Sequence, residues 1–487
     1  MKKVLQYLLY VLMALAAIVR FAIFLQSRDL FLDEVNVARN LYERDFVALL
    51  QPLAYEQFAP PLFLWITKAS ALLFGFSEMA LRLFPYLSGI VSILLLVYLI
   101  DILLEKKYAI YPMALFAGGY LFLHYNTELK QYSSDFMMTL LLLVAAIKSD
   151  SHYRDKKFLL IWILLGSLGL WLSMPSVFIL FGIGLYWVAK LIKAKDYKAL
   201  SYIIVIGGVW FLQFGLYFLF ILKDQISSAY LQNYHDSSFL YFSYKIPAVV
   251  HDLKVLSGML GHTGGFTTLA LITNSLLLLV GSIALYRKEK LRSLLFFAPL
   301  AALMLASILH KYALADRLVL FIFPILFVLL AYGVYILFQV QNKFFQAAMA
   351  IILSLNVFNH QNFKFIFKKL EIQEIHYALD EIENRQALKE YDPIWVHNGA
   401  VPAFIFYTKM SPKKRKYEVL FNQNVLLAWD VDYAILYNEL ATGEGVWILL
   451  TNYFPYEKEK ILAAMKEANL TNSLEKPGCL LLHYEKP

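Results

Sequence analysis

The segment from residue 30 to residue 61 reads LFLDEVNVARNLYERDFVALLQPLAYEQFAPP and determines how the chain meets the membrane. It follows the first hydrophobic run directly and starts with an acidic pair, Asp33 and Glu34, at the expected membrane edge. Carboxylates are costly to place against lipid and tend to be kept there for chemistry or an ion pathway. A solvated loop whose charges only set the topology is the alternative interpretation of this pair.

Beyond the pair, apolar and charged residues alternate with a roughly helical period as far as Leu50. This period predicts a helix with one apolar face, lying along the membrane surface. Gln57 and the double proline Pro60–Pro61 close the segment, because a proline stops a helix before it.

The composition is that of an integral membrane protein. Of the 487 residues, 60% are hydrophobic and only 16% are charged. The net charge is +8, but lysine and arginine fall mainly in short loops between apolar runs, which indicates topology signals beside anionic lipid rather than a nucleic-acid surface. The single cysteine, Cys479, excludes an internal disulfide framework and a multi-cysteine metal site.

Eleven apolar runs are suitable for crossing the membrane. They lie near 4–25, 80–103, 108–123, 132–147, 158–172, 174–191, 199–222, 267–286, 293–310, 318–338 and 344–360.

Hydrophobicity alone does not decide whether the run 62–76 crosses the membrane, but the distribution of the basic residues does. With Lys2 and Lys3 in the cytoplasm, the other basic loops also fall inside only if 62–76 does not cross. We therefore expect 62–76 to be an interfacial or re-entrant helix.

This topology places several distant segments on one outer face, which we expect to be the periplasmic side of a bacterial inner membrane. They are the acidic pair, the QFAPP turn, the loops 124–131 and 223–266, and Arg317. A site built at one membrane face from distant loops is typical of an active site or a binding site.

Two of these loops carry further candidate residues. Glu128, Tyr132 and Asp135 are spaced to share one face of a helix, with Asp135 about a turn inside the membrane. Lys130 lies at the boundary as a ligand or as a snorkelling anchor. His262, in the glycine-rich run after an aromatic-rich loop, is either a ligand or base or an ordinary polar loop residue.

From about residue 361 the hydrophobic runs shorten and charge rises. Strands are predicted at 394–397, 446–450 and 479–485, and helices at 371–389 and 457–469. The fold class is therefore a mainly α, polytopic membrane protein of about eleven spans (1–360) with a small C-terminal α/β domain (361–487) on the outer side. Within that domain, the KKRK run, residues 413–416, is expected to be a solvated or headgroup-facing loop.

Five motifs carry a resemblance to a known family. They are LFLDE (30–34), QFAPP (57–61), FGFSEMALRLFP (74–85), TELKQYSSD (127–135) and ADRLVLFIFP (315–324). In this order the chain resembles the GT-C glycosyltransferases, in the branch of the protein O-mannosyltransferases and the lipid A aminoarabinose transferases, over roughly residues 1–360. The resemblance implies a membrane enzyme that moves a sugar to a glycan, lipid or protein acceptor. Lys130 stands where many relatives carry arginine.

The outer face of this membrane has no ready supply of nucleotide sugars, so the sugar donor is expected to be a polyprenyl-phosphate sugar. Asp33 is the expected base that takes the acceptor proton, and Glu34 orients it, holds the acceptor or binds a cation. Arg82, Lys130 and Arg317 are the expected ligands of the departing phosphate. One base and an in-line attack predict inversion at the anomeric carbon.

The expected substrate cavity has five members: Gln57, Glu128, Tyr132, Asp135 and His262. The acidic pair is also suited to Mg²⁺ or Mn²⁺, but no histidine or cysteine ligand set accompanies it, so the sequence assigns no metal ligand. A transporter or flippase of a lipid-linked or anionic substrate is the main alternative function. A structural membrane anchor for the C-terminal domain is another.

Overall fold

The computed structural model describes residues 2–150, 153, 155–223, 229–386, 392–421, 425–428 and 445–487. Its chain forms two compact units. The first, the helical unit, consists of Met1–Ile23, Ala59–Phe63 and Phe84–Ile366. The second, the mixed unit, consists of Phe24–Phe58, Leu64–Leu83 and Phe367–Pro487. The segment that carries the acidic pair thus belongs to the same unit as the C-terminal residues.

The α-helices, in chain order, are α1 (Lys2–Leu25), α2 (Leu32–Glu43), α3 (Pro61–Phe74), α4 (Glu78–Leu103), α5 (Ile110–Gly118), α6 (Tyr120–Asn126), α7 (Tyr132–Lys148), α8 (Lys156–Leu172), α9 (Ser176–Ala194), α10 (Tyr197–Tyr217), α11 (Ala229–His235), α12 (Ile246–Gly261), α13 (Thr268–Lys288), α14 (Leu294–Ile308), α15 (Phe323–Leu337), α16 (Lys343–His360), α17 (His376–Gln386), α18 (Val401–Ile405), α19 (Lys414–Phe421) and α20 (Pro455–Ala464). Short 3₁₀ or π turns lie at Ala48–Leu50, Lys106–Ala109, Phe218–Leu222, Asp236–Ser238, Leu320–Ile322, Phe363–Ile366 and Phe406–Met410.

The described residues contain six stretches long and apolar enough to cross a membrane: α1, α4, α9, Tyr197–Leu222, α13 and Leu320–Leu337. Helices α3 and α14 are apolar but shorter. The chain is therefore a multi-pass membrane protein, mainly helical as the sequence predicts.

The apolar run predicted near 108–123 forms two helices rather than one. The helix is interrupted between α5 and α6 at Gly119, whose backbone is extended (φ −65°, ψ 128°). A Cβ atom there would lie 2.5 Å from His360 Nε2 and 2.9 Å from the Leu115 carbonyl oxygen. Only glycine fits so close an approach, and the hydrophobic pattern gives no sign of it.

Helix α2 confirms the predicted helix after the acidic pair, but it begins earlier and is buried differently. It starts at Leu32, so the pair lies in its first turn, where the helix dipole favours negative charge. Its residues Glu34 to Leu41 are all buried, whereas the sequence predicts one apolar face on a membrane surface. The helix packs against α18 and the turn Phe406–Met410 of the same unit.

The loop predicted over 223–266 contains α11 and α12, so it is largely helical rather than irregular. Its residues 224–228 lie outside the described part of the chain.

A five-stranded sheet forms the centre of the mixed unit. Its strands are β1 (Ile394–His397), β2 (Val425–Ala428), β3 (Gly445–Thr451), β4 (Asn469–Lys476) and β5 (Cys479–Glu485), in the spatial order β2-β1-β3-β5-β4. Strand β1 pairs in parallel with β2 and β3, and β5 pairs antiparallel with β3 and β4. Trp395, Ile448 and Leu482 contribute to its buried core.

The three predicted strands are confirmed as β1, β3 and β5, because each is an apolar run that the fold buries. Strand β4 was not predicted, since it is an edge strand whose residues are mostly exposed and polar. The predicted helices become α17, which begins five residues later than predicted, and α20, which begins two residues earlier and ends five residues earlier than predicted. Residues 387–389 of the first prediction lie outside the described residues.

Candidate functional site

Glu34, in the mixed unit, is fully buried and is held by two arginines. Its Oε1 accepts a hydrogen bond from Arg82 Nε (2.7 Å), and its Oε2 accepts from Arg82 Nη2 (2.6 Å) and Arg28 Nη1 (3.2 Å). This is a bidentate guanidinium–carboxylate pair, which fixes geometry as well as charge. Glu34 Oε2 also accepts from the Phe31 N–H (3.0 Å) and so caps α2.

Arg82, predicted to hold a phosphate, uses its guanidinium within the protein. Besides Glu34, it donates to the carbonyl oxygens of Arg28 (2.6 Å) and Asp29 (3.0 Å). The side chain is buried. These contacts tie the segment before α2 to the first turn of α2, so they favour a positioning role for Arg82.

Asp33 is the more accessible member of the acidic pair. It is half-buried, whereas Glu34 beside it is 0% exposed. It lies in the first turn of α2, at the positive end of the helix dipole. A partly accessible carboxylate on a fixed helix end is placed to act as a general base.

The turn before the double proline has a strained backbone. Tyr55 and Glu56 both have positive φ angles, 64° and 53°, in the left-handed region that non-glycine residues rarely adopt. Arg39 donates to Tyr55 Oη and stacks on its ring at 4.1 Å, and Gln57 Nε2 donates to the Tyr55 carbonyl oxygen (3.0 Å). Strain of this kind is held in place by such contacts and is common at functional sites.

A second ionic cluster in the mixed unit has no signal in the sequence. Asp29 Oδ2 accepts from the His376 backbone N–H (2.8 Å) and lies 2.8 Å from His376 Nδ1, while Lys413 contacts Asp29 Oδ1 (3.4 Å) and Glu78 Oε1 (2.6 Å). Burial alone would raise the pKa of Asp29, but its hydrogen bonds from His376 and the charge of Lys413 hold that pKa below its usual value. The prediction that KKRK is a solvated or headgroup-facing loop is therefore wrong in part: Lys414 and Lys416 are exposed, but Lys413 forms a partly buried ion pair, and α19 begins at Lys414.

In the helical unit, the shared helical face predicted for Glu128, Tyr132 and Asp135 is wrong at Glu128. Helix α7 begins only at Tyr132, and Glu128 lies in the preceding turn, where it pairs with His124 Nε2 (2.5 Å). The serines and the carboxylate that follow Tyr132 suit the first turn of a helix, so the helix starts there. Lys130 in the same turn is buried, which does not fit a snorkelling anchor.

Tyr132 and Asp135 are both buried near the start of α7. Asp135 Oδ1 has no hydrogen-bond partner among the described residues. The cavity beside Tyr132 has a volume of about 10 Å³, which accommodates roughly one water molecule and no sugar. Tyr132 packs edge-on against Tyr125 with 5.0 Å between ring centroids, so it belongs to a packed aromatic cluster.

The other two candidate residues of the helical unit, His262 and Arg317, lie in segments that contact each other. His262 Nε2 lies 3.2 Å from Oδ1 of Asp316, the residue before Arg317, and hydrogen bonding to His262 lowers the pKa of Asp316. Burial, together with the nearby charge of Arg317, lowers the pKa of His235. The half-buried Arg317 thus acts on His235, which lies between α10 and α13.

A metal site at the acidic pair does not fit the donor set, because guanidinium and backbone N–H groups already occupy both oxygens of Glu34. The described residues that could hold a metal are Asp29, Glu374 and His376, whose ligand atoms lie within 4.8 Å of one another. Sequence reasoning missed this group, since residues 29 and 376 are 347 positions apart.

Known proteins are similar to this chain in sequence over residues 59–217 and in fold over nearly its whole length. Residues 59–217 match the model of the dolichyl-phosphate-mannose-protein mannosyltransferase family. The fold is similar to that of ArnT from Cupriavidus metallidurans in the apo state (12% identity, 97% of each chain, TM-score 0.53) and bound to undecaprenyl phosphate (13% identity, 97% of each chain, TM-score 0.50). It is also similar to the Archaeoglobus fulgidus oligosaccharyltransferase in complex with Zn and sulfate (11% identity, 98% of this chain and 73% of that chain, TM-score 0.52). No curated protein sequence gives a significant match.

The family match over residues 59–217 and the shared fold confirm the resemblance that the five motifs indicate. Those residues are similar to the dolichyl-phosphate-mannose-protein mannosyltransferases, and the whole fold is similar to that of ArnT.

Proposed function

We propose that the chain transfers a sugar from a polyprenyl-phosphate carrier to an acceptor on a glycan, a lipid or a protein, at the outer face of the membrane. The observation that carries the proposal is the difference in surroundings between the two residues of the acidic pair. Glu34 is buried against Arg82, whereas Asp33 stays partly accessible at the positive end of α2. A carrier donor is further supported by the similar fold of ArnT, whose structure is described with bound undecaprenyl phosphate.

In the proposed reaction, Asp33 accepts the proton of the acceptor hydroxyl as the acceptor oxygen attacks the anomeric carbon. The bond between that carbon and the carrier phosphate breaks, and its electron pair leaves with the phosphate. Attack opposite to the leaving group inverts the anomeric configuration. A phosphate is already a competent leaving group, so no protonated acid is needed.

Lys130 and Arg317 are the proposed cations that stabilise the charge developing on the departing phosphate. Both lie in the helical unit, in turns that precede α7 and α15. We give Arg82 a different role from the one that its sequence motif implies: it positions Glu34 and the segment before α2. Glu34 in turn holds the first turn of α2, and with it Asp33, in one orientation.

The proposed topology keeps eleven spans, a cytoplasmic amino terminus and an interfacial or re-entrant α3, in a bacterial inner membrane. Helix α3 has 14 residues, and a helix of that length spans roughly 21 Å, less than the roughly 30 Å of a hydrocarbon core. The division into a membrane domain, 1–360, and a periplasmic domain, 361–487, is retained as a functional division. The mixed unit supports a role of the second domain in holding the acidic segment.

No step of this reaction runs through Mg²⁺ or Mn²⁺ at the acidic pair, because the arginines already neutralise Glu34. Gln57 of the mixed unit and Glu128, Tyr132, Asp135 and His262 of the helical unit stay predictions from the sequence as substrate-cavity residues, and the packing of Tyr132 leaves no room for a sugar beside it.

A donor panel tests the proposal. Purified protein in liposomes is given a series of polyprenyl-phosphate sugars together with an envelope extract as the source of acceptors, and released polyprenyl phosphate is measured. We expect release from at least one donor, dependent on the extract. Release from none, by protein that is folded and inserted, would contradict a carrier-linked donor.

A further inference from the structure

The buried cluster of Asp29, Glu374 and His376 is not used by the proposed reaction. Asp29 is 1% exposed and Glu374 is 0% exposed, and His376 is partly buried. The three come from the segment before α2 and from the segment that leads into α17, all within the mixed unit. The cluster therefore joins the C-terminal residues to the chain that carries the acidic pair.

The two carboxylate oxygens of Glu374 have different surroundings. Its Oε2 is bound by Lys369 Nζ and lies 3.5 Å from His376 Nδ1. Its Oε1 has no hydrogen-bond partner among the described residues, although the side chain is completely buried. A buried acceptor without a donor is costly and calls for an ion or a water at that point.

The charges around the cluster favour a cation. Three carboxylates (Asp29, Glu78 and Glu374) face two ammonium groups (Lys369 and Lys413), which leaves one negative charge when the imidazole is neutral. Lys413 binds Asp29 through Oδ1, whereas Oδ2 of that residue faces His376. Lys413 is thus bound at Oδ1 alone, and the contacts of Oδ2 come from the backbone N–H and the imidazole of His376.

We propose that Asp29, Glu374 and His376 bind one Zn²⁺ ion. One imidazole and two carboxylates form a mixed nitrogen and oxygen donor set that suits zinc, whereas Mg²⁺ prefers oxygen donors alone and keeps its waters. The ligand atoms, within 4.8 Å of one another, need only small shifts to reach a common ion. On binding, the Nδ1 lone pair goes to the metal, and the ring proton is carried on Nε2.

The zinc would hold Asp29 by its carboxylate, whereas Arg82 holds Asp29 by its carbonyl oxygen. The Asp29 carbonyl oxygen accepts from Arg82 Nη2 (3.0 Å), and the same nitrogen holds Glu34. An ion on the Asp29 carboxylate therefore restrains the segment that precedes Asp33. This effect on catalysis rests on the proposed function, but the site itself does not.

The test uses the full-length chain without an affinity tag, purified in detergent, stripped with EDTA and then dialysed against a low concentration of Zn²⁺. We expect about one zinc per chain by elemental analysis and a higher melting temperature, because metal binding is coupled to folding. Hydrogen exchange should slow in peptides that cover residues 26–34 and 370–380. Glu374→Gln and His376→Gln should lose the zinc and the protection, whereas the neighbouring control Glu371→Gln should keep both.

Wild-type protein that retains no zinc and shows no shift in melting temperature would overturn the site and leave an ion-pair network alone. Equal zinc in the wild type and in both ligand variants would also overturn it, since the ion would then lie elsewhere. Should the ligand variants fail to fold, the zinc titration of the wild type by hydrogen exchange still decides the location. Asp33→Asn should bind zinc like the wild type, which separates this test from failure of the proposed function.

Discussion

At the residue scale, two adjacent carboxylates take on different tasks because their surroundings differ. Glu34 points at Arg82 and Arg28 and is fully buried, while Asp33 remains partly accessible. The sequence identifies the pair, since an acidic dipeptide at a membrane edge is unusual. It does not separate the two roles, because the arginine that makes the difference lies 48 residues away. The Asp29 cluster was missed for the same reason.

Breaking the buried pair should destabilise the mixed unit. Glu34→Gln leaves the Arg82 guanidinium buried without its charge partner, which costs about 3–5 kcal/mol. We expect a melting temperature lower by several degrees and lower activity. The matched control is Glu475→Gln, which removes an exposed ion pair with Lys458 and should cost less than about 1 kcal/mol. Equal melting temperatures for the two variants, measured in detergent, would refute the positioning role.

At the element scale, apolar patterns predict the helices and strands that the fold buries. They do not predict an element or a boundary that depends on a local contact. Strands β1, β3 and β5 follow from their apolar runs, whereas the polar edge strand β4 does not. The start of α7 at Tyr132 goes with the polar residues of its first turn, and the break at Gly119 goes with a close approach to His360, so periodicity misplaces both.

The phosphate role of these turns can be separated from mere anchoring. If Arg317 holds the carrier phosphate, Arg317→Gln loses a charged hydrogen bond, and the donor concentration for half-maximal rate should rise roughly tenfold to a hundredfold. Arg317→Lys should recover only part, since a point charge cannot reproduce a bidentate fork. Lys130→Gln should behave like Arg317→Gln. Lys311→Gln, an exposed lysine of the same loop, is the control and should match the wild type. If the dependence of rate on donor concentration is unchanged in both Gln variants, Lys130 and Arg317 do not bind the carrier phosphate.

At the scale of the whole molecule, composition and charge predict a multi-pass protein with a C-terminal α/β domain. The composition cannot show that residues 24–58 and 64–83 form one compact unit with the C-terminal residues. That arrangement depends on contacts across the full length of the chain, such as Leu30 N–H to Tyr407 Oη (2.8 Å) and Leu32 N–H to Gln373 Oε1 (3.1 Å). The acidic segment is thus held by residues that follow it by more than 300 positions.

Reporter fusions test the topology. A fusion after Lys107 should lie in the cytoplasm, and fusions after Tyr55 or at Pro487 should lie outside, because the basic loops stay inside only when α3 does not cross. Activity of paired cytoplasmic and periplasmic reporters provides the measurement. A periplasmic Lys107 fusion would make α3 a span and place the predicted outer loops on opposite faces.

The most direct test of the account is the rate at which Asp33→Asn releases polyprenyl phosphate from the donor that the wild type uses. Asn keeps the size of the side chain and cannot take a proton, so we expect the rate to fall by roughly two to four orders of magnitude. Expression, melting temperature and donor binding should be unchanged. Asp45→Asn, at a nearby exposed carboxylate, should remain active. A wild-type rate in Asp33→Asn would contradict the assignment of Asp33 as the base.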